Sequence, residues 1–314
     1  MRRFDRFTDL PEDARGASAA IGNFDGVHRG HQSVIALAKA AGTGPLGIVT
    51  FDPHPRAYFG RAPGPFLLMS PETRAHRLDK LGVAVVFELP FNAAMAGLSA
   101  EQFARAVIVE GLGLSHVTVG ADFCFGKGRD GNADDLRRFG DAMGFGVTIA
   151  PLEHFSTGAR VSSTLIRAAL ADGRPRDAAT MLGHWHRIEG PVIHGEKRGR
   201  TLGYPTANMA MDGLHLPRLG VYAVLVDVLT GPHAGRHHGV ASLGVRPMFG
   251  ENTANLETCL FDFTGDLYGA ELSVALVDFL RPELRFEGVD ALVTQMDADS
   301  AKARAVLADL PETR

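Results

Sequence analysis

The chain has 314 residues, of which 45% are hydrophobic and 22% are charged, and its formal net charge is −4. This length is enough for two ordinary domains of a globular protein, and the charge argues against a nucleic-acid-binding surface, where Lys and Arg would cluster. No apolar run approaches the ~20 residues of a membrane span, and no apolar segment follows the basic N-terminus, so we expect neither a membrane span nor a signal peptide.

The first half of the chain alternates strand and helix patterns. The predicted strands cover residues 19–21, 47–51, 83–89, 116–120 and 147–150. Ser99 and Gln102 have the spacing of a helix capping box, and the apolar pattern of that helix continues through Val109. Short apolar strands separated by helices favour a parallel sheet covered on both faces. Ligands of such sheets bind beyond the carboxyl ends of the strands.

A glycine-rich decapeptide, residues 22–31, follows the first of these strands and reads G-N-F-D-G-V-H-R-G-H. It precedes an amphipathic helical pattern over residues 34–41, so its backbone N–H groups and the helix end can approach phosphate oxygens. His28 and His31, three residues apart, add donors on one side of that turn. These donors suit attack on a nucleotide α-phosphate, where charge grows on the nonbridging oxygens. The alternative is a plain βα turn with surface histidines.

Two further turns follow predicted strands and open at the same edge of the sheet. One reads Asp52-Pro53-His54-Pro55, and the other is the glycine-rich loop 120–132, which contains Asp122. We therefore expect both turns to share one crevice with the decapeptide. The alternatives are a His54 satisfied within its own loop and a plain turn with two inward Phe side chains.

Three hydroxyl residues begin the next predicted helix, which runs from Ser162 through Ser163 and Thr164 to about residue 171. Arg167 follows one turn later. A guanidinium beside hydroxyls makes a good polyphosphate clamp because it matches phosphate oxygens bidentately. Simple helix capping by the hydroxyls is the alternative.

The texture changes after a short helical piece that ends near Gly183. The later runs with strand character cover residues 187–193, 221–228, 239–243, 256–263 and 272–279. Gly- and Pro-rich turns separate them, which indicates an antiparallel barrel, and a final helix covers about residues 288–310. We place the domain boundary near residue 184, giving domains 1–184 and 185–314.

Residues 195–208 form a glycine-rich stretch that reads G-E-K-R-G-R-T-L-G-Y-P-T-A-N. Its glycines and the cations Lys197, Arg198 and Arg200 suit a flexible lid over phosphates. Thr206 and Asn208 add hard oxygen ligands on one face of an extended chain. This donor set suits Mg²⁺ whose coordination is completed by ATP oxygens.

Glu257 is the candidate base of the second half. On a strand with period two it shares a face with Cys259, Phe261 and Phe263. Desolvation on such a face tends to raise the pKa of a carboxyl group, and a base placed there can take the proton of a primary alcohol attacking a γ-phosphate. A solvent-facing Glu on an edge strand is the alternative.

The chain has two cysteines, Cys124 and Cys259, which fall in different predicted domains. We therefore expect no disulfide and a cytoplasmic location. No Cys/His spacing indicates a zinc site.

Together these motifs resemble the family of bacterial bifunctional riboflavin kinases/FAD synthetases. The decapeptide is similar to G-x-F-D-G-x-H-x-G-H, which contains the H-x-G-H signature of nucleotidyltransferases. The loop at Asp122 resembles D-F-x-F-G, the helix start at Ser162 resembles S-S-T-x-x-R, and the stretch before Asn208 resembles G-R-x-L-G-x-P-T-A-N. The resemblance covers nearly the whole chain, with the motifs in the expected order.

The resemblance implies an α/β fold: an N-terminal Rossmann-like nucleotidyltransferase domain, then a C-terminal antiparallel barrel with a long terminal helix. The barrel would phosphorylate riboflavin with ATP to give FMN and ADP. The first domain would adenylylate FMN with a second ATP to give FAD and pyrophosphate. Both reactions would use Mg²⁺. The expected partners are these small molecules, and the sequence leaves self-association open.

The resemblance also implies roles for individual residues. Catalytic roles fall on Glu257, His28 and His31. ATP contacts fall on Gly22, Phe24, Asp25, Gly26, Ser162, Ser163, Thr164, Arg167, Gly195, Arg200 and Gly203. Flavin contacts fall on Pro53, His54, Pro55, Asp122 and Arg281, and the metal ligands are Thr206 and Asn208.

The chain departs from the family pattern at three positions. Ser242 and Met248 stand where family members often have the Asn and Thr of an N-I-G-x-R-P-T-F string, and Cys259 stands where the family has a His shortly after its catalytic Glu. We expect the first two changes to alter affinity rather than activity. Two other functions stay open: an enzyme with one live half, such as a cytidylyltransferase fused to a kinase-like remnant, and a non-catalytic flavin-binding sensor. The intact His28, His31 and Glu257 argue against the sensor.

Overall fold

The computed structural model describes residues 1–42, 44–62, 64–152, 161–195, 203–248 and 251–310. The chain divides into two compact units. Unit 1 comprises Met1–Pro63 and Arg74–Ser162, and unit 2 comprises Gly64–Thr73 and Ser163–Arg314. The helices between residues 163 and 182 thus group with unit 2. The predicted boundary near residue 184 divides the chain by reaction, and that division stays a prediction.

Unit 1 contains a parallel sheet, as expected from its short apolar strands. Its strands are β1 (Arg2–Phe4), β2 (Ser18–Ile21), β3 (Leu46–Asp52), β4 (Val85–Pro90), β5 (His116–Gly120) and β8 (Gly146–Ala150). Among the described residues they form a six-stranded sheet in the order β1-β4-β3-β2-β5-β8, and each neighbouring pair is parallel. A small antiparallel hairpin joins β6 (Cys124–Phe125) to β7 (Gly131–Asn132).

Helices connect these strands. They are α1 (Arg29–Ala41), α2 (Pro55–Tyr58), α3 (Pro71–Lys80), α4 (Ala93–Gly97), α5 (Ala100–Gln102) and α6 (Ala133–Met143). The capping box before α5 is present: the Gln102 N–H donates to Ser99 Oγ, and the Ser99 N–H donates to Gln102 Oε1. The helix continues as a π-helix, Phe103–Gly111. The apolar spacing of so short a segment does not distinguish a π-helix from the expected α-helix.

The core of unit 1 lies between the sheet and this π-helix. Val49 and Phe87 from the sheet and Val107 and Ile108 from the π-helix are all completely buried in one cluster. Burial of each such side chain stabilises the fold by about 1.5–3 kcal/mol. The packing fixes the strands whose carboxyl ends carry the predicted adenylyl-transfer residues.

Unit 2 contains an antiparallel barrel. Its strands are β9 (His186–Pro191), β10 (Ala207–Ala210), β11 (Gly220–Val228), β12 (Gly235–Met248), β13 (Glu251–Leu260) and β14 (Glu271–Arg281). In the described part of the chain their order is β10-β13-β12-β11-β14-β9, with every neighbouring pair antiparallel. Just past β9, the Ile193 N–H donates to the Asn208 carbonyl oxygen at 2.9 Å. This bond links the two outermost strands, so the barrel is nearly closed.

Three helices accompany the barrel in the described part of unit 2: α7 (Ser163–Ala171), α8 (Pro175–Leu182) and α9 (Val289–Ala308). Leu256 and Leu260 of β13 point into the barrel core. Phe261 instead packs against Ala303 and Leu307 of α9, on the outer surface. Phe263 lies beyond the end of β13 and packs against the inner cluster. The expectation that it shares a face with Glu257 was therefore wrong, because the strand ends before it.

Candidate functional sites

The turn after β2 has a strained backbone held by burial. Phe24 and Val27 have φ angles of 51° and 41°, in the left-handed region that non-glycine residues rarely adopt, and Gly26 has a φ of 87°. Phe24 is 1% exposed and Val27 is 0% exposed. Such strain persists only where the surrounding structure fixes it, and it is concentrated at functional sites. The predicted ATP-binding residues Gly22, Phe24, Asp25 and Gly26 therefore lie in a preorganised turn.

The two motif histidines form a stacked pair. Their ring centroids are 3.7 Å apart with an interplanar angle of 13°. His28 is the N-cap of α1, and its Nδ1 accepts a hydrogen bond from the His31 N–H at 3.3 Å. Neutral His28 in this geometry carries its proton on Nε2. Burial, and then the charge of His28, hold the pKa of His31 well below its usual range. His31 is therefore a neutral ring at physiological pH.

A polar network that sequence reasoning missed lies behind this turn. The Asn23 carbonyl oxygen accepts hydrogen bonds from Thr50 Oγ1 at 3.2 Å and from Arg74 Nη1 at 3.5 Å. Arg74 Nη2 lies 2.6 Å from Glu88 Oε1, and Arg3 Nη2 lies 2.6 Å from Glu88 Oε2. Burial raises the pKa of Glu88, but the hydrogen bonds from Arg74 and then Arg3 outweigh it and lower that pKa. The available signal was a carboxylate inside an apolar strand pattern.

The turn after β3 carries the first group of predicted flavin contacts. Pro53 follows a cis peptide bond from Asp52, and Pro55 begins α2. His54 is the N-cap of α2, and its Nδ1 accepts from the Arg56 N–H at 3.0 Å. His54 is therefore satisfied within its own loop, which was the alternative interpretation of this residue. Its contact with the flavin stays a prediction.

An aromatic cluster that the sequence did not single out adjoins this turn. Tyr58, Phe59 and Phe91 have ring centroids 5.1–5.8 Å apart in edge-to-face arrangements. Tyr58 is 39% exposed and Phe59 is 52% exposed. Exposed adjacent aromatic rings beside a candidate site offer a flat apolar surface to a ligand.

The loop after β5 divides its residues between core and solvent. Phe123 and Phe125 stack with centroids 5.4 Å apart and pack against the core of unit 1. Asp122 is exposed just beyond the strand. Since β3, β2 and β5 are consecutive neighbours in the sheet, the three predicted turns lie side by side at its carboxyl edge.

The predicted polyphosphate clamp lies at the start of α7. Ser162 is the last residue of unit 1, whereas Ser163, Thr164 and Arg167 lie in α7 of unit 2. Arg167 Nε donates to the Phe66 carbonyl oxygen at 2.6 Å, and its guanidinium carbon is 5.1 Å from the Phe66 ring centroid. These contacts orient Arg167, whose phosphate contact stays a prediction.

Thr206 and Asn208 line one cavity of about 320 Å³ in unit 2, together with Asp266 and Tyr268. Asn208 is 6% exposed, and its Nδ2 donates to the Thr206 carbonyl oxygen at 3.3 Å. A Cβ on Gly195 would lie 2.5 Å from Asn208 Nδ2, so only glycine allows this close approach. Gly203 is also described and has a φ of +83°, whereas Arg200 lies outside the described residues.

Glu257 lies opposite Asn208 across β10 and β13, and opposite Ser242 across β13 and β12. It is half-buried, and β13 lies between two partners rather than at a sheet edge. Asn255 Nδ2 donates to Asn208 Oδ1 at 2.8 Å and to Glu257 Oε1 at 3.4 Å. The structure thus brings the predicted base close to one predicted metal ligand. Asn255 was missed, although it lies two residues before Glu257 on the same face of the strand.

Arg281 makes contacts within its own unit. Its Nε and Nη2 donate to the buried Asp299 carboxylate at 2.7–3.0 Å, and its Nη1 donates to the Pro282 carbonyl oxygen at 2.9 Å. The hydrogen bonds between Arg281 and Asp299 connect the end of β14 to α9. The flavin contact of Arg281 stays a prediction.

The positions that depart from the family pattern differ in setting. Ser242 is exposed, and Met248 ends β12. Cys259 is a buried free thiol whose pKa is raised by burial, and Cys124 is an exposed free thiol. Within the described residues no group of three or more His, Cys, Asp and Glu side chains is placed to hold a metal ion.

Two known families match successive parts of the chain. Residues 10–165 match the FAD synthetase family, and residues 182–307 match the riboflavin kinase family. Among curated proteins, the chain is 42% identical to a bifunctional riboflavin kinase/FMN adenylyltransferase of Pseudomonas fluorescens, with 96% of each chain covered. It is 38% identical to the protein of that name from Listeria monocytogenes (93% of each covered). It is 36% identical to that from Escherichia coli K12 (97% of this chain, 96% of the other).

A solved structure also matches nearly the whole chain. It is described as a macrolide-efflux protein from Streptococcus pneumoniae, with a TM-score of 0.82, 31% identity and coverage of 96% of this chain and 98% of that one. In the described part of the present chain, no helix has both the length and the apolarity needed to cross a membrane.

Proposed function

Because the chain belongs to the family of bifunctional riboflavin kinases/FMN adenylyltransferases, we propose which of its residues carry out each of two reactions. The enzyme phosphorylates riboflavin with ATP to give FMN and ADP, and it adenylylates FMN with ATP to give FAD and pyrophosphate. We assign adenylyl transfer to residues 1–184 and phosphorylation to residues 185–314. The order of the two family matches supports this assignment.

Glu257 is the general base of the kinase reaction. It takes the proton of the riboflavin primary hydroxyl as that oxygen attacks the γ-phosphorus of ATP, and the bond to ADP breaks. The observation that carries this assignment is the strand register, which places Glu257 opposite Asn208. The hydrogen bond from Asn255 orients the carboxylate beside the cavity that Thr206 and Asn208 line.

Thr206 and Asn208 are the residues that would hold Mg²⁺. Their side chains carry hydroxyl and amide oxygens, which are hard donors, and both residues line one cavity. Mg²⁺ prefers a few protein oxygens with phosphate oxygens and waters, and two oxygen-bearing residues beside one cavity suit this preference. Bound there with ATP, the ion would offset the negative charge of the phosphates.

His28 and His31 assist adenylyl transfer as neutral donors. An FMN phosphate oxygen attacks the α-phosphorus of ATP, and the bond to pyrophosphate breaks. The nucleophile is already ionised, so this reaction needs charge stabilisation rather than a base. The preorganised turn supplies backbone N–H groups, and the lowered pKa of His31 keeps it from becoming a cation.

The exposed rings of Tyr58 and Phe59 form a stacking surface for the FMN isoalloxazine. They lie within four residues after the Pro53–Pro55 turn, for which the family resemblance implies a flavin contact. A flat aromatic ligand would bury apolar surface that these rings now expose.

The enzyme is cytoplasmic and acts on small molecules, with no nucleic-acid partner. Its ATP dependence and its two free cysteine thiols support a reducing, nucleotide-rich compartment. The net charge of −4 offers no electrostatic attraction to nucleic acid.

Glu257→Gln tests the base assignment because the amide keeps the size of the side chain but cannot accept the alcohol proton. With riboflavin, ATP and MgCl₂ we expect FMN formation to fall ~10²–10⁴-fold. With supplied FMN, FAD formation should continue at the wild-type rate. An unchanged urea midpoint, followed by Trp185 fluorescence, should show that unit 2 of the variant is folded. Wild-type FMN formation by this variant, with chemistry shown to be rate-limiting, would remove Glu257 from the mechanism.

A further inference from the structure

We propose that Asn255 is a positioning residue of the kinase reaction, which holds Asn208 and Glu257 in a fixed relation through one side-chain amide. This inference rests on the roles proposed for those two residues. Asn255 lies on β13, two positions before Glu257, so both side chains emerge on the same face of the strand. Neither the family motifs nor the spacing of charged residues points to it.

The geometry uses both hydrogens of the Asn255 amide. One hydrogen bond, of 2.8 Å, goes to Asn208 Oδ1, and the other, of 3.4 Å, goes to Glu257 Oε1. Asn208 Nδ2 in turn donates to the Thr206 carbonyl oxygen at 3.3 Å. The orientation of the Asn208 amide is therefore fixed by one hydrogen bond at its oxygen and one at its nitrogen. A single donor group thus orients an oxygen from each of two neighbouring strands.

The remaining atom of the amide indicates a functional rather than a packing role. Asn255 Oδ1 is buried and has no hydrogen-bond partner among the described residues. A buried acceptor without a partner is destabilising, and native structures keep few of them. Folding alone would favour an apolar side chain here, so an amide kept at a cost in stability points to the two hydrogen bonds that it donates. We therefore infer that the amide is kept for the reaction.

Substitutions at this position separate donation from space filling. Asn255→Asp has the same shape but carries no N–H, and it faces two oxygen acceptors with further oxygens. Asn255→Leu has nearly the same volume without polar atoms. Asn255→Gln keeps the amide on a longer arm. If only volume matters, Asp and Leu should function; if donation matters, only Gln should restore part of the activity.

The test measures kcat and KM for FMN formation in the full-length enzyme, with riboflavin varied and ATP and MgCl₂ saturating. We expect Asn255→Asp and Asn255→Leu to lower kcat about 10- to 100-fold, since small misplacements of reacting groups have effects of this size. The KM for riboflavin should change much less than kcat, and Asn255→Gln should recover part of the loss. Thr258→Val, an isosteric change on the opposite face of the same strand, serves as the matched control and should behave like wild type.

Urea unfolding followed by the fluorescence of the single tryptophan, Trp185, measured in the same preparations, reports whether unit 2 of each variant is folded. The proposal is overturned if Asn255→Asp or Asn255→Leu has wild-type kcat for FMN formation. It is also overturned if the loss of FMN formation in all three variants matches a loss of folded unit 2, because the residue would then act through stability alone. Glu257→Gln in the same assay separates the test of the Glu257 base from the test of the Asn255 positioning role. An active Glu257→Gln enzyme refutes the base assignment, whereas an inactive one beside a fully active Asn255→Asp enzyme refutes only the role of Asn255.

Discussion

His28 and His31 are best described as one stacked unit in which each ring constrains the other. His28 accepts the His31 N–H as the cap of α1, and their ring centroids are 3.7 Å apart. Two cations at that distance would repel strongly, so the pair is suited to donate hydrogen bonds as neutral rings. His28 thus has two roles, as the cap of α1 and, in the proposed mechanism, as a hydrogen-bond donor to the substrate. A useful substitution must remove one role and keep the other.

His28→Asn makes that separation because asparagine is among the best N-cap residues. We expect His28→Asn and His31→Ala each to lower FAD formation ~10²–10³-fold, since both remove a preorganised donor to the phosphate. FMN formation from riboflavin should stay near normal in both variants. Full FAD formation by His28→Asn would show that His28 only caps the helix. Loss of kinase activity in a folded variant would contradict the assignment of the two reactions to separate sites.

His186 shows how one buried ring makes stability depend on pH. It is 3% exposed in unit 2, and its Nε2 donates to the Leu68 carbonyl oxygen at 3.0 Å. Burial lowers its pKa from 6.5 to about 4, against the opposing effect of that hydrogen bond. Between these values the unfolded chain binds a proton that the folded chain does not. Stability is therefore full above pH 6.5 and falls as the pH drops towards 4.

His186→Gln should remove much of this dependence because glutamine can still donate to the carbonyl but does not titrate. We expect His186 to account for a loss of about 3 kcal/mol in the free energy of unfolding between pH 6.5 and pH 4. The single tryptophan, Trp185, lies beside it and gives a fluorescence signal for urea unfolding of unit 2. His238→Gln, at an exposed position, is the control. An unchanged pH dependence in His186→Gln would refute this account.

At the scale of elements, α3 and β4 support the turn that follows β2. Arg74 from α3 reaches both the Asn23 carbonyl oxygen and Glu88 on β4, while Thr50 on β3 reaches the same carbonyl. The turn is thereby held from two neighbouring strands and one helix. This support explains how Phe24 and Val27 are kept at unfavourable φ angles.

Arg74→Met tests this support. Glu88 keeps Arg3 but loses a buried partner, so we expect unit 1 to lose about 1–3 kcal/mol of stability and FAD formation to fall. The double variant Arg74→Met/Glu88→Leu should regain stability, since replacing a buried ion pair by apolar residues is often neutral, but should not regain FAD formation. Arg105→Ala, which removes an exposed ion pair with Glu101, is the control and should change little. Full FAD formation in the double variant would contradict the positioning role.

Strong sequence patterns predicted most helices and strands of both units. The elements and contacts that were missed have no such pattern, for physical reasons. The capping box at Ser99 and the strand 116–120 depend on local spacing, and both are confirmed. β1 is an edge strand of three residues without an apolar run, so no pattern marks it. Arg74 and Asn255 act through contacts with residues distant in sequence or across a strand, which one-dimensional spacing does not reveal.

At the scale of the whole molecule, the chain carries two compact units and two successive reactions. Unit 2 includes more than the predicted barrel domain. α8 buries Ala178, Met181 and Leu182, and Arg176 Nε lies 3.0 Å from Asp278 Oδ2 of β14. The structural support of the barrel therefore begins before residue 185.

A fragment beginning near Trp185 should still fold and make FMN, because its ~130 residues can bury a core of their own. A fragment beginning at Ser163 should also make FMN and should unfold at higher urea concentration, since it keeps α7 and α8. Urea titration followed by Trp185 fluorescence compares the two. Equal midpoints would show that these helices do not stabilise the barrel. An inactive Ser163 fragment beside an active full-length enzyme would show that the kinase needs residues before 163, which include the Gly64–Thr73 segment of unit 2.

The most direct test of the account is a mixing experiment with riboflavin, ATP and MgCl₂, in which the flavin products are separated and quantified. Glu257→Gln alone should leave riboflavin unchanged, and His31→Ala alone should accumulate FMN. A mixture of the two variants should make FAD, because FMN released by one is adenylylated by the other. FAD formed from riboflavin by either variant alone at the wild-type rate would contradict the assignment of the two reactions to these two sites.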